Sequence, residues 1–189
     1  MMAYRLKIAI CCLMFSFSAQ SQTVLVDFSS NWSYYDNENE PADNGGFDWN
    51  DINYDDSTWS QGNAELGYGD GDENTVINDS TLTAYFRQSF TVADPLLFDS
   101  LDIDLIYDDG AVIYMNGTEI WRVNMPTGVV DYNTLASSNS GDNAREILSL
   151  SNNLVAGENV LAIEIHQSSS TSSDISFDVK AVTRVPIKR

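Results

Sequence analysis

Cysteine is nearly missing from this chain: the two it has, Cys11 and Cys12, are adjacent and lie in the first few residues. Residues 1–21 have the layout of a secretory signal. Arg5 and Lys7 form a short basic start, residues 8–17 an apolar run, and Ala19-Gln20-Ser21 a small-residue cleavage site. Cleavage before Gln22 would remove both cysteines, so disulfides could not staple the remaining domain, which is unusual for an exported one. The apolar run is also too short for the ~20 residues of a membrane-spanning helix, and no second run follows. No membrane insertion is therefore expected.

Histidine is the next scarcity. His166 is the only one, and once cleavage has removed both cysteines a zinc centre built on several His or Cys ligands is excluded. Any hydrolase or lyase chemistry relying on imidazole would have to use His166, and no nucleophile elbow accompanies it. Basic residues are scarce as well. Nine Lys and Arg face 28 Asp and Glu, for a formal charge of −19 that grows by two once Arg5 and Lys7 leave. Such a charge disfavours nucleic acid and anionic membranes as partners. It suits extracellular solubility, or a divalent cation seated among clustered carboxylates.

What the chain has in plenty is alternation. Period-two runs cover 84–92, 101–107, 159–167 and 174–182, and 144–149 also reads better as strand than as helix. In the second run Leu101, Ile103, Leu105 and Tyr107 share one face, with Asp102 and Asp104 on the other. In the third, Leu161, Ile163 and Ile165 point inward, and Ala162, Glu164 and His166 point to solvent. Asn116-Gly117 between two β-rich stretches predicts a tight hairpin. Residues 22–189 therefore read as a single all-β domain, an antiparallel β-sandwich of the jelly-roll kind. The polar loops at 36–58 and 67–81 carry too many Trp and Tyr for disorder and are expected to pack over an end or edge of the sandwich.

An ordered set of motifs runs through the chain: Trp32-Ser33-Tyr34-Tyr35-Asp36, Tyr54-Asp55-Asp56-Ser57-Thr58-Trp59, Leu66-Gly67-Tyr68-Gly69-Asp70-Gly71-Asp72 and Tyr85-Phe86-Arg87. It continues with 107–117 around Asp108-Asp109-Gly110, then 159–167, then Ser173-Asp174-Ile175-Ser176-Phe177-Asp178. In this order they resemble the galactose-binding-domain-like jelly roll, an accessory module of secreted bacterial proteins found beside extracellular hydrolases. The resemblance covers roughly 24–184. It implies carbohydrate or protein binding, or docking to a neighbouring domain, with a structural calcium ion in some members. Fold alone does not fix which.

The candidate site residues follow from residue chemistry. Trp49, in Phe47-Asp48-Trp49-Asn50-Asp51, is the loop aromatic best suited to stack on a sugar ring. Trp121 is out of phase with Ile120, so one of the two is exposed. Asp108 and Asp109, before Gly110, could accept sugar hydroxyls; the plainer reading is a tight turn with Gly110 at positive φ. His166 at a strand end could touch ligand. Asp70, Asp72 and Glu73 place oxygens at alternating loop positions, as calcium prefers. The expected function is a secreted, non-catalytic module that binds an extracellular glycan, or alternatively an adhesive protein that binds a surface protein.

Overall fold

The computed structural model describes residues 22–185, so the signal-peptide reading of 1–21 lies outside the described residues. Twelve strands form two six-stranded sheets, and the described residues contain no α-helix. The first strands are β1 (Gln22–Val26), β2 (Asn31–Tyr35), β3 (Ser60–Asn63), β4 (Leu66–Tyr68), β5 (Thr75–Val76) and β6 (Thr83–Val92). The rest are β7 (Ser100–Asp108), β8 (Gly110–Met115), β9 (Thr118–Val123), β10 (Ala144–Ser151), β11 (Gly157–His166) and β12 (Ile175–Arg184).

One sheet runs β10-β7-β12-β4-β5, with β1 also paired to β12; the other runs β3-β2-β6-β11-β8-β9. All pairings are antiparallel except the short one between β4 and β5. The chain is thus a β-sandwich of the jelly-roll kind, as the alternation predicts. The hairpin is also where expected: Asn116 (φ 53°) and Gly117 (φ 82°) join β8 to β9.

Between the sheets lie the residues read as inward-facing. Leu101, Ile103 and Leu105 meet Leu161, Ile163 and Ile165, with Ile175, Phe177, Val179 and Ala181 beside them, all fully buried. Each large aliphatic or aromatic side chain so buried contributes about 1.5–3 kcal/mol. Phe177 stacks on Phe86 (4.0 Å between centroids) and receives the edge of Trp32 at 5.0 Å, tying the two sheets together.

The outer face of the second sheet departs from the expectation. Ala162, Glu164 and His166 on β11 are buried, at 0, 2 and 0 % exposure, instead of facing solvent. The loop 36–58 covers this face and not an end or edge, and Tyr132 packs beside it. A second cluster of Trp49, Tyr54, Trp59, Tyr85, Tyr132, Val160 and Ala162 results. The loop 67–81 instead supplies β4 and β5 and sends Ile77 into the main core.

Candidate functional site

The loop 36–58 stays on the sheet because of one buried cation. Arg87 on β6 is 2 % exposed and reaches up into the loop. Its Nη1 donates to the carbonyls of Trp49 and Asp51, its Nη2 to that of Tyr54 (3.3 Å), and its Nε to the Asp56 carboxylate (3.1 Å). The guanidinium also lies 5.3 Å from the Tyr54 ring centroid. Five donors in a rigid fork make arginine suited to gathering several loop carbonyls at once.

Under the edge of this loop lies a cavity of about 540 Å³, lined by Glu40, Asp43, Asp48, Trp49, Tyr114 and Glu164 among others. Pro41, Val129 and Val130 give it apolar wall. Trp49 is in the wall, but it is only 5 % exposed and its ring meets Tyr85 (4.9 Å) and Tyr114 (5.4 Å) edge-on. It is a packed wall element of the cavity. Glu40 is held above the ordinary carboxylate range, by burial first and then by the charges of Glu164, Asp131, Asp48 and Asp43.

Behind the cavity stands a polar chain. Glu164 Oε1 accepts from the Tyr114 hydroxyl at 2.8 Å, and Glu164 Oε2 lies 3.4 Å from His166 Nε2. His166 Nδ1 lies 2.8 Å from the Thr134 carbonyl oxygen and 3.0 Å from Thr83 Oγ1. A carbonyl can only accept, so this partner assigns the proton to Nδ1. Thr83 Oγ1 in turn donates to the Tyr132 carbonyl (2.8 Å). His166 is thus interior, and no hydroxyl is bonded to its Nε2, which is buried without a hydrogen-bond partner.

Asp108 and Asp109 are buried too, at 2 and 0 % exposure, and not displayed on a loop. The Asp109 carboxylate accepts from the backbone N–H groups of Ser140 (2.9 Å) and Ser168 (2.8 Å) and from the Ser172 hydroxyl (3.3 Å). Asp108 Oδ1 accepts from Ser140 Oγ (3.0 Å). The pair joins two loops to the sheet. Burial, then the hydrogen bond and charge of Asp109, push the Asp108 carboxyl up to about 8. Burial also works to raise Asp109, but hydrogen bonds from Ser168, Asp108 and Ser140 outweigh it and hold it below its ordinary value. Gly110 is not at positive φ as expected. It is needed for space, since a Cβ there would sit 2.6 Å from Met125 Sδ and 2.8 Å from Ala136 Cβ. Trp121, on edge strand β9, is 39 % exposed, while Ile120 packs against the core. Trp121 does not line the cavity.

The acidic residues gather elsewhere, around β4 and the start of β12. Carboxylate oxygens of Glu65, Asp70 and Asp72 lie within 4.8 Å of one another, and so do those of Asp70, Asp142 and Asp174. Asp70 belongs to both groups. Gly69 (φ +108°) lets the chain approach so closely that a Cβ would be 2.5 Å from the Ser173 carbonyl oxygen and 2.7 Å from Asp174 Cβ. Asp70 is raised above its ordinary range by burial and then by Asp174, Asp142 and Asp72. Such groups could hold a metal ion, for which oxygen ligands at short mutual distance are required. Glu73, expected among the ligands, turns back on its own loop to accept the N–H groups of Asp70 and Gly71, both at 3.0 Å.

With this geometry in hand, comparison with solved structures gives the same architecture. The chain is similar to part of a Bacteroides uniformis beta-glucuronidase, at TM-score 0.55 and 14 % identity over 87 % of this chain and 18 % of that one. It is similar to a beta-glucuronidase of an uncultured Clostridium species, at TM-score 0.56 and 14 % identity, covering 92 % and 31 %. A Ruminococcus gnavus beta-glucuronidase in complex with D-glucuronic acid matches at TM-score 0.55 and 10 % identity, covering 90 % and 30 %. This chain thus spans under a third of each of those enzymes, and at these identities the likeness is one of fold. No protein-family model and no curated protein matches the chain. No helix among the described residues is long and apolar enough to cross a membrane.

The sequence reading missed Glu40, Asp43, Asp48, Tyr114 and Glu164 as cavity residues, and Glu65, Asp142 and Asp174 as partners of Asp70. One signal was present: Arg87 and Glu164 are charged residues in the middle of strongly apolar strands, in a chain with few cations to spare.

Proposed function

We propose that this chain is an exported, non-catalytic binding module of the galactose-binding-domain-like kind, and that it takes a saccharide in the cavity beneath the loop 36–58. One observation carries this reading. A cavity of about 540 Å³ falls within the ~300–1,000 Å³ typical of small-ligand sites. Its walls combine an indole, a phenol and apolar Pro41 and Val130 with several carboxylates, the mixture that suits a sugar's C–H faces and hydroxyls. In the same reading, the carboxylates around Asp70 hold a structural calcium ion, and the partner is an extracellular glycan. Glycan-array and affinity-gel retention with and without calcium tests this. Retention is expected on at least one polysaccharide, and Asp48→Ala and Asn50→Ala should abolish it. No retention on any polysaccharide would overturn the reading.

A second reading, an adhesive module that binds a surface protein, has its own support. Leu96 and Leu97 are 89 % and 55 % exposed, and Leu97 borders an apolar groove lined by Thr23, Leu25, Val92 and Phe98. Exposed apolar area of this kind marks protein contacts. Pull-down from the native surface fraction, lost on Leu97→Asp, separates it from the first.

A further inference from the structure

The strands at the sheet margins are β10, β1 and β5 in one sheet and β3 and β9 in the other. Four of these are blunted. β5 has two residues and β3 four, while β1 and β9 each lose register with their neighbours. Short or irregular edges are a usual means of keeping other chains from adding a strand. β10 is different. It keeps unbroken register with β7 over all eight residues, from Ala144 opposite Tyr107 to Ser151 opposite Ser100. It contains no proline, glycine or lysine. Among the described residues its backbone pairs with β7 alone, so alternate N–H and C=O groups of the strand face outward without a protein partner.

Side chains and charge say what fits this edge. Ala144, Leu148 and Leu150 anchor the strand on the main core, whereas Ile147, on the outer face opposite Asp104, is 71 % exposed. Five Lys and Arg fall among the described residues. Three of them, Arg145, Lys180 and Arg184, lie on the outer face of this same sheet, matched by Asp104, Asp27 and Asp102. The other two, Arg87 and Arg122, pair with Asp56 and Glu119. The excess of carboxylates over the rest of the molecule repels a second copy of the chain. Beside β10 the surface is charge-balanced, and a copy can approach there.

We infer that β10 pairs with β10 of a second copy, antiparallel about a two-fold axis, so that the two sheets run on as one. Side-chain chemistry sets the register. A continuous sheet opposes outward residues to outward ones. An axis through Arg145 or Glu146 would set like charges directly opposite each other, which destabilises a pair. An axis through Leu148 would leave Ile147 against Ser149. With the axis through Ile147, the two isoleucines cover each other, Arg145 opposes Ser149 and Glu146 opposes Leu148. Seven residues then face seven, for roughly six to eight backbone hydrogen bonds. A second β10 is already extended and anchored in its own sheet, so pairing orders no loose segment, as an unrelated peptide would require.

Light scattering on the eluting protein and a cysteine trap test this. At high micromolar concentration the protein is expected to elute at twice the monomer mass. Ile147→Lys sets like charges opposite each other at an exposed position, and should weaken the dimer at least tenfold while circular dichroism stays unchanged. In a background of Cys11→Ser and Cys12→Ser, mild oxidation should join Ile147→Cys to its counterpart, because directly opposed Cα atoms lie about 4.5–5.5 Å apart. Ser149→Cys, also exposed, should stay unlinked, since its counterpart is displaced by four residues, ~13 Å along the strand. A protein that is monomeric throughout overturns the inference. So does a dimer that is indifferent to Ile147→Lys, or that is linked through position 149 and not 147. A monomer that loses a surface-protein partner on Ile147→Lys overturns it as well, by assigning the edge to a foreign strand.

Discussion

Arg87 shows how much one side chain can decide. It satisfies three carbonyls and a carboxylate that would otherwise be left short of donors beneath a loop. Arg87→Met should cost roughly 2–4 kcal/mol in urea denaturation, the range for leaving buried partners unmet. Arg87→Lys should recover little of it, because one ammonium cannot span that fork. Asp108 gives a prediction in pH. Its folded carboxyl is raised to about 8, so between the ordinary carboxylate range and that value the folded state holds a proton the unfolded state has lost. Stability must therefore fall as pH climbs through this window. Asp109 is shifted the other way, and its contribution is lost in acid, below the same window. Thermal melts between pH 5 and pH 9 should show Tm declining for the native protein. Asp108→Asn, which keeps an oxygen for Ser140 Oγ, should flatten the decline.

At the scale of elements, legibility divided by which face a strand shows and to what. β7 and β12 were readable because their inner residues alternate with Asp, Ser, Thr and Lys along nearly the whole strand. On β11 the same rule gave the inner face correctly and the outer face wrongly. Ala162, Glu164 and His166 look like a solvent face because polarity is read locally, whereas their partners Tyr114, Thr83 and Thr134 come from 32 to 83 residues away. The packing of Trp49 was not legible for the same reason: its carbonyl is held by Arg87, and a sequence pattern does not show where a 23-residue loop will lie. The acidic site was half legible. Asp70 and Asp72 sit in one loop, but Glu65 lies before β4 and Asp142 and Asp174 arrive through tertiary structure. β4 itself hangs on a glycine. A Cβ at Gly67 would lie 1.9 Å from the Ile175 carbonyl oxygen, with no flexible atom to yield. Gly67→Ala should separate β4 from β12 and destabilise by at least the ~1–3 kcal/mol of ordinary overpacking. Faster amide exchange at Ser176 and its neighbours than in β7 would report it.

For the whole molecule, the dominant fact is a formal charge of −19 on a chain whose two cysteines are the adjacent Cys11 and Cys12. Self-repulsion of this kind is screened over about 10 Å at 0.1 M salt, so Tm should rise between low salt and 0.2 M sodium chloride. Calcium should add an increment that matched sodium chloride does not. Occupancy at a hundred times Kd contributes about 2.7 kcal/mol, roughly 5–11 °C for a domain of this size. Asp70→Asn, which touches both acidic groups, should remove the calcium increment and leave the sodium response. A calcium effect that survives Asp70→Asn would place the ion elsewhere.

The loop 36–58 also bears on how such a module can diversify. Its hold on the sheet comes from the buried rings of Trp49 and Tyr54 and from backbone carbonyls, which every sequence possesses, received by one arginine that belongs to the sandwich. Glu40, Asp43, Asp48 and Asn50 can then be exchanged without rewriting the means of attachment. On the saccharide reading proposed above, selection can revise what the cavity recognises by substituting a single contiguous stretch of chain, while the strands beneath keep folding as before.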